Sequence, residues 1–145
     1  MRLQSGVLQA VGLAFSALLL FPSSPLYADQ GGSKKPSLSL KATPAVSFAP
    51  ARIVLVAELK GGDDNSEELY CPTVEWEWGD GTSSIAEADC EPYEAGKSEV
   101  KRRFSIEHKF QNSGQYRVVL RLKKSSKIIA TANANLQVRP GLTGQ

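Results

Sequence analysis

One histidine, His108, limits what catalysis this 145-residue chain could perform. A Ser-His-Asp or Cys-His arrangement would have to move its proton through that single imidazole. Its neighbours read as a strand: Val100, Phe104, Ile106, His108 and Phe110 share one parity, and Lys101, Arg103, Glu107 and Lys109 occupy the other. No G-x-S-x-G, P-loop or H-E-x-x-H pattern occurs. Glu75 and Glu77 are the carboxylates that could serve glycoside hydrolysis, but they fall on the polar face of an alternating stretch and imply no pocket. The sequence predicts no enzyme, no catalytic residue and no cofactor.

Binding chemistry has more candidates. Asp63, Asp64, Glu67 and Glu68 form an acidic loop whose oxygens could take Ca²⁺, with Asp63 and Asp64 foremost. The D-x-[DN]-x-[DN]-G order of a dedicated Ca²⁺ loop is missing, so solvated charge is the expectation and no metal site is assigned. Lys101, Arg102, Arg103, Arg117, Arg121, Lys123, Lys124 and Lys127 give the C-terminal half a cationic bias. That bias suits either an anionic polysaccharide or the charged outer face that strands need. Trp76 and Trp78 share a parity with Val74, which predicts burial for Trp76. Trp78, beside a turn, is the aromatic that could stay partly exposed and stack on a sugar. Trp78, Tyr93, Arg102 and Arg103 are therefore the candidate ligand-binding residues. Net charge is only +2, so electrostatics implies no nucleic-acid partner.

The elements that must position these residues are strands. Residues 1–28 read as a signal peptide: Arg2, then an apolar run from Val7 to Phe21, then Pro22 and small residues near Ala28. That run of about 15 residues falls short of the roughly 20 that span a bilayer, so no stable membrane span is expected after cleavage. Residues 29–36 read as a flexible leader, 37–140 as the folded domain and 141–145 as a tail. Leu38, Leu40 and Ala42 alternate with polar residues, and Ile53 to Leu59 is a β-branched run suited to a central strand. Val74 to Trp78, Tyr116 to Leu122 and Ile128 to Val138 alternate in the same way, the last with Ile128, Ala130, Ala132, Ala134, Leu136 and Val138 on one face. No window in 37–140 keeps a 3.6-residue period. Six or seven short strands predict an all-β sandwich of two antiparallel sheets.

Asp80-Gly81 favours a two-residue type I′ hairpin. That turn sets Trp78 opposite Ser83, Trp76 opposite Ile85 and Cys71 opposite Cys90. Turn chemistry and cysteine spacing thus agree, and export to an oxidising compartment permits a Cys71–Cys90 disulfide.

Two stretches resemble the signatures of PKD (polycystic kidney disease) domains. Trp76 to Thr82 (WEWGDGT) is similar to W-D-F-G-D-G-T, and His108 to Leu122 (HKFQNSGQYRVVLRL) to H-x-Y-x-x-x-G-x-Y-x-V-x-L-x-V. The resemblance implies an immunoglobulin-like, PKD-type β-sandwich. In it Trp76 is the core tryptophan, Gly79, Asp80 and Gly81 the tight turn, and His108 and Phe110 the H-x-aromatic pair. Gly114 and Tyr116 start the next strand. It also implies that His108 is a structural hydrogen-bonding residue beside the turn. The chain departs from the pattern at Glu77, Trp78 and Phe110 and in a long connection over 83–107. Members of that family serve as extracellular spacer, adhesion or carbohydrate-associated modules. The expectation is a secreted or periplasmic, non-catalytic module whose partner is an extracellular or envelope protein, with polysaccharide binding as the alternative.

Overall fold

A computed structural model describes residues 34–141. The expected signal peptide (1–28), leader residues 29–33 and tail residues 142–145 lie outside the described residues. Eight strands follow in order: β1 (Ser37–Thr43), β2 (Val46–Phe48), β3 (Ala51–Lys60), β4 (Thr73–Glu77), β5 (Ser83–Ala86), β6 (Arg103–Phe110), β7 (Gly114–Lys124) and β8 (Lys127–Arg139). They form a three-stranded sheet, β1-β3-β6, and a five-stranded sheet, β2-β8-β7-β4-β5. The β-branched run expected to be a central strand is the centre of the smaller sheet. Ala51, Ile53, Leu55, Ala57 and Leu59 of β3 point inward and are buried, alternating with side chains that reach solvent.

The core lies between the sheets. Trp76, Trp78, Val118, Leu120, Leu122, Leu136 and Val138 come from the larger sheet's side; Ile53, Leu55, Phe104 and Phe110 come from the smaller. Fully burying a Leu, Ile or Phe side chain contributes on the order of 1.5–3 kcal/mol, so these period-2 faces supply the driving force for closing the layers.

Three details differ from the sequence expectation. The sheets are not purely antiparallel: β2, three residues between the cis bonds Thr43–Pro44 and Ala49–Pro50, runs parallel to β8. Ile128 does not join the inward face of β8. The register shifts between Leu122 and Lys123, where Leu122 faces Ala130 but Lys123 faces Ile128. The extra residue, Ile129, packs against the core, and Ile128 is turned out to solvent. A bulge of this kind inverts the alternation on one side of itself.

The third difference is the hairpin register. Trp76 faces Ser84, not Ile85, and Trp78 N–H donates to the carbonyl of Thr82 rather than pairing with Ser83. The turn holds three residues, Gly79, Asp80 and Gly81. Only the two glycines have positive φ, at 78° and 89°. A type I′ turn needs positive φ at Asp80 as well. Asp80 instead turns its Oδ1 onto the Thr82 backbone N–H at 2.9 Å, an Asx-type contact. The one-residue change leaves Ile85 opposite Glu75 on the outer face, where it is well exposed.

Gly79 has a second reason to be glycine. A Cβ there would sit 2.7 Å from the Arg117 carbonyl oxygen and 3.0 Å from its nitrogen, whereas a Cβ on Gly81 meets nothing within 4 Å. Gly79→Ala therefore combines strain of about 1–3 kcal/mol from the left-handed backbone with a collision against main chain that cannot swing away. Gly81→Ala carries the backbone strain alone. In urea unfolding, Gly79→Ala loses clearly more stability than Gly81→Ala; equal losses would contradict the close approach to β7.

Candidate functional site

The constellation with most chemistry is built by the β4–β5 turn and the edge of β6. Asp80 leaves the turn toward the smaller sheet, and its Oδ2 meets His108 Nε2 at 2.8 Å. The Thr82 hydroxyl donates to the other oxygen, Oδ1. His108 is also one member of an aromatic column. Its ring stacks on Trp78 at 4.0 Å between centroids and 4° between planes, and Trp78 stacks on Trp76 at 5.5 Å and 2°. Phe110 meets His108 edge-on at 4.8 Å, and Tyr116 continues the column at 4.5 Å from Phe110. Trp78 Nε1 donates to Ser84 Oγ at 2.9 Å, so its polar atom is satisfied inside the fold.

Chemically this is a lock between layers. In a nucleophilic triad the imidazole stands between hydroxyl and carboxylate and takes the hydroxyl proton. Here the carboxylate stands in the middle: Thr82 and His108 both bond to Asp80, and the imidazole does not touch the hydroxyl as it would in that triad. One face of the imidazole lies under Trp78, and Phe110 closes against its edge. The motif residues Trp76, Gly79, Asp80, Gly81, His108 and Phe110 are thus brought together as one inter-sheet contact. Gly114 opens β7, and Tyr116 anchors its start by donating its hydroxyl to the Asn112 carbonyl at 2.8 Å.

Burial pushes the Asp80 carboxyl up, but hydrogen bonds from Thr82 and His108 outweigh it and hold the group below its ordinary value. A carboxyl with a depressed folded pKa contributes stability that is present above the unfolded value and lost as pH falls through the folded one. The contribution of Asp80 therefore drains away below about pH 4. Glu75 adds to the same acid limb: its hydrogen bond to Lys123 outweighs desolvation and, with Arg121, lowers it too. Asp80→Asn is expected to be less stable than wild type at pH 7, with a shallower loss as pH falls below about 4 in thermal melts; parallel curves would refute the assignment.

The four candidate ligand-binding residues do not converge. Trp78 is only 1% exposed and cannot meet a sugar; the parity that buries Trp76 also buries Trp78, whose ring is enclosed between Trp76 and His108 although it stands directly beside the turn. Tyr93 leans on Tyr70 at 5.6 Å and donates its hydroxyl to the Asn65 carbonyl. Arg102 is held by Asp64 and the Gly61 carbonyl, and Arg103 pairs with Glu58 at 3.0 Å. The acidic loop is also committed: Asp64 serves Arg102, and Asp63 accepts the Asn65 backbone N–H at 2.9 Å. Among the described residues no three His, Cys, Asp or Glu side chains are grouped to hold a metal.

Most of the cationic bias is neutralised in the same way. Arg121 reaches Glu75 and Glu77 at 3.2 and 2.9 Å, Lys123 reaches Glu75 at 3.1 Å, and Lys127 reaches Glu68 at 2.5 Å. Lys124 bonds to the Tyr70 carbonyl and Lys101 lies over the Phe104 ring. Exposed pairs of this kind add little stability, but they cancel the field that the sequence suggested. Arg117, like Lys101 and Lys124, has no acidic partner among the described residues, and it lacks the ring or carbonyl contact that those two lysines make.

The expected disulfide is present. Cys71 and Cys90 are bonded with Cα atoms 6.3 Å apart, a kind of bond that forms and persists in oxidising, extracytoplasmic compartments. They are not facing positions of the β4–β5 ladder, which ends at Val74 and Ala86; the bridge closes beyond it, with Cys71 at a φ of 50°.

No protein-family model and no curated protein matches the sequence. Solved structures do. The solution structure of the CARDB domain of a Pyrococcus furiosus protein superposes with a TM-score of 0.52 at 11% identity, covering 72% of this chain and 94% of that one. The fold is an immunoglobulin-like β-sandwich. The crystal structure of the same CARDB domain in complex with di-metal ions matches at a TM-score of 0.48, 12% identity, and 73% and 94% coverage. The PKD domain of an M14-like peptidase from a Thermoplasmatales archaeon matches at 0.48, 15% identity, and 74% and 98% coverage.

Within this sandwich the sequence reading missed one surface, the outer face of the larger sheet where β2, β8 and β7 lie side by side. Phe48, Gln115, Arg117, Asn135, Gln137 and Arg139 are all exposed there. The alternation of β7 and β8 marks the polar residues as outward-facing. Nothing in a three-residue strand between prolines announces that Phe48 joins them.

Proposed function

We propose that the chain is an exported, non-catalytic module that acts by docking at the cell surface or in the envelope. The observation that supports this most directly is the Asp80–His108 contact: the sole imidazole and its carboxylate are spent in tying one sheet to the other. Export through the 1–28 signal peptide to the periplasm or medium accords with the disulfide. The remaining surface, with its open sheet edges and the 87–102 segment stapled at Cys90, is what such a module has to offer a partner.

Fluorescently labelled protein, secreted from its own signal peptide, would be titrated onto native envelope. Saturable retention is expected. Retention that rises without saturating would overturn the docking reading, and mass spectrometry finding Met1 retained would overturn cleavage near Ala28.

A further inference from the structure

The larger sheet's outer face is electrostatically divided. On the β4 side, Glu75 and Glu77 balance Arg121 and Lys123. On the β2–β8–β7 side, Arg117 and Arg139 stand without any acidic partner among the described residues. The register sets Phe48 beside Arg139, Gln137 between Val46 and Gln115, and Asn135 beside Arg117. Strand geometry puts the two arginines roughly 14 Å apart along the sheet, with the amides between them. An open groove of about 550 Å³ runs there, lined by Val46, Gln115, Arg117, Asn135 and Gln137 among others.

Charge complementarity calls for an anionic occupant, and the side chains between the charges say which kind. A protein interface places its aromatic anchors at the centre of the patch and polar groups at the rim. Here the order is reversed: amides occupy the middle, while Phe48 and Val46, about half exposed, lie at the margin on β2. Each amide offers both donors and an acceptor, the match for a hydroxyl group that is itself both. The guanidinium fork fits a planar carboxylate through two parallel hydrogen bonds. The Phe48 ring gives an apolar plate for the C–H face of a pyranose. We propose that this face binds a uronate-bearing polysaccharide, with Arg117 and Arg139 on carboxylates and Gln115, Asn135 and Gln137 on hydroxyls. The assignment rests on the surface-docking reading and names its ligand class.

Polygalacturonate would be titrated calorimetrically into the whole secreted protein at low salt, beside polyglutamate as a charge-matched peptide and dextran as a neutral glycan. Measurable, salt-sensitive binding to polygalacturonate is expected, with at least tenfold weaker binding to the other two. Arg117→Gln with Arg139→Gln should weaken it about tenfold or more at unchanged melting temperature, as expected for exposed sites. Asn135→Ala with Gln137→Ala should weaken polygalacturonate binding without altering any residual polyglutamate binding. The proposal is overturned by absence of binding, by indifference to the arginine changes, or by equal affinity for polyglutamate, which would make the face a site for acidic protein. Saturable envelope binding that survives both arginine changes would keep the docking reading and reject this ligand.

Discussion

Trp78→Ala is expected to remove about 3–5 kcal/mol of folding stability, the range for deleting a large aromatic from a packed core. Domains of this size have roughly 5–15 kcal/mol in total, so the variant should melt on the order of 10–20 °C lower. Three losses coincide. The indole is 1% exposed, so its removal leaves a cavity between the layers. The stacks on Trp76 and His108 go together, because Trp78 is the ring between them. Ser84 Oγ loses the Nε1–H donor. His108 then holds Asp80 without the surface that fixes its plane, so the inter-sheet lock loosens as well. Trp78→Phe separates these contributions: a ring remains for stacking, and the expected cost falls to about 1–2 kcal/mol, mainly the orphaned hydroxyl and a smaller void. Urea denaturation followed by far-UV circular dichroism measures both. A loss below 1 kcal/mol in Trp78→Ala would mean that the column is not what joins the sheets.

How much of this was legible in sequence depends on whether the deciding contact is local. The alternation in β7 and β8 records solvent on one side and core on the other, and it marks Val118, Leu120, Leu122, Ala130, Leu136 and Val138 as buried; β3 read only as an apolar run, and its own alternation of buried and outward-facing residues is visible in the structure. The same rule buried Trp78 with Trp76; only proximity to the turn argued otherwise, and His108, stacked on the indole from the other sheet, outweighs that argument. Asp80-Gly81 was a real turn signal, but Gly79 widened the choice of turn, and Asp80 was claimed by Thr82 and by His108, 28 residues away. Dipeptide preference cannot register a competitor at that distance. The bulge at Ile129 is equally silent, since three consecutive apolar residues from Ile128 fit either parity. Arg102 read as a free cation because its partner, Asp64, lies 38 residues back across a loop. What could be read of the β2–β8–β7 face was its polarity; which cations stay unpaired there depends on contacts elsewhere.

Cys71→Ser with Cys90→Ser is the second large effect, and it should differ in kind. In the chain-entropy description a bridge enclosing a loop of this length contributes about 3 kcal/mol by restricting the unfolded chain. The pairs Val74–Ala86 to Glu77–Ser83 and the aromatic column lie on the turn side of the bridge, so they persist without it. The far side is held less well. Residues 87–102 contain no strand, and besides the disulfide their described ties to Tyr70 and the acidic loop are the Tyr93 ring on Tyr70, the Tyr70 hydroxyl on the Glu91 carbonyl at 3.0 Å, the Tyr93 hydroxyl on Asn65 and the Arg102 contacts. Proteolysis is therefore expected to nick 87–102 in the double serine variant under conditions where its tryptophan emission is still that of buried indoles. Trp78→Ala should lose emission, circular dichroism and protease resistance together. A double serine variant that melts within about 1 °C of wild type and resists nicking would show that the loop's own contacts, rather than the bridge, hold that edge of the sandwich.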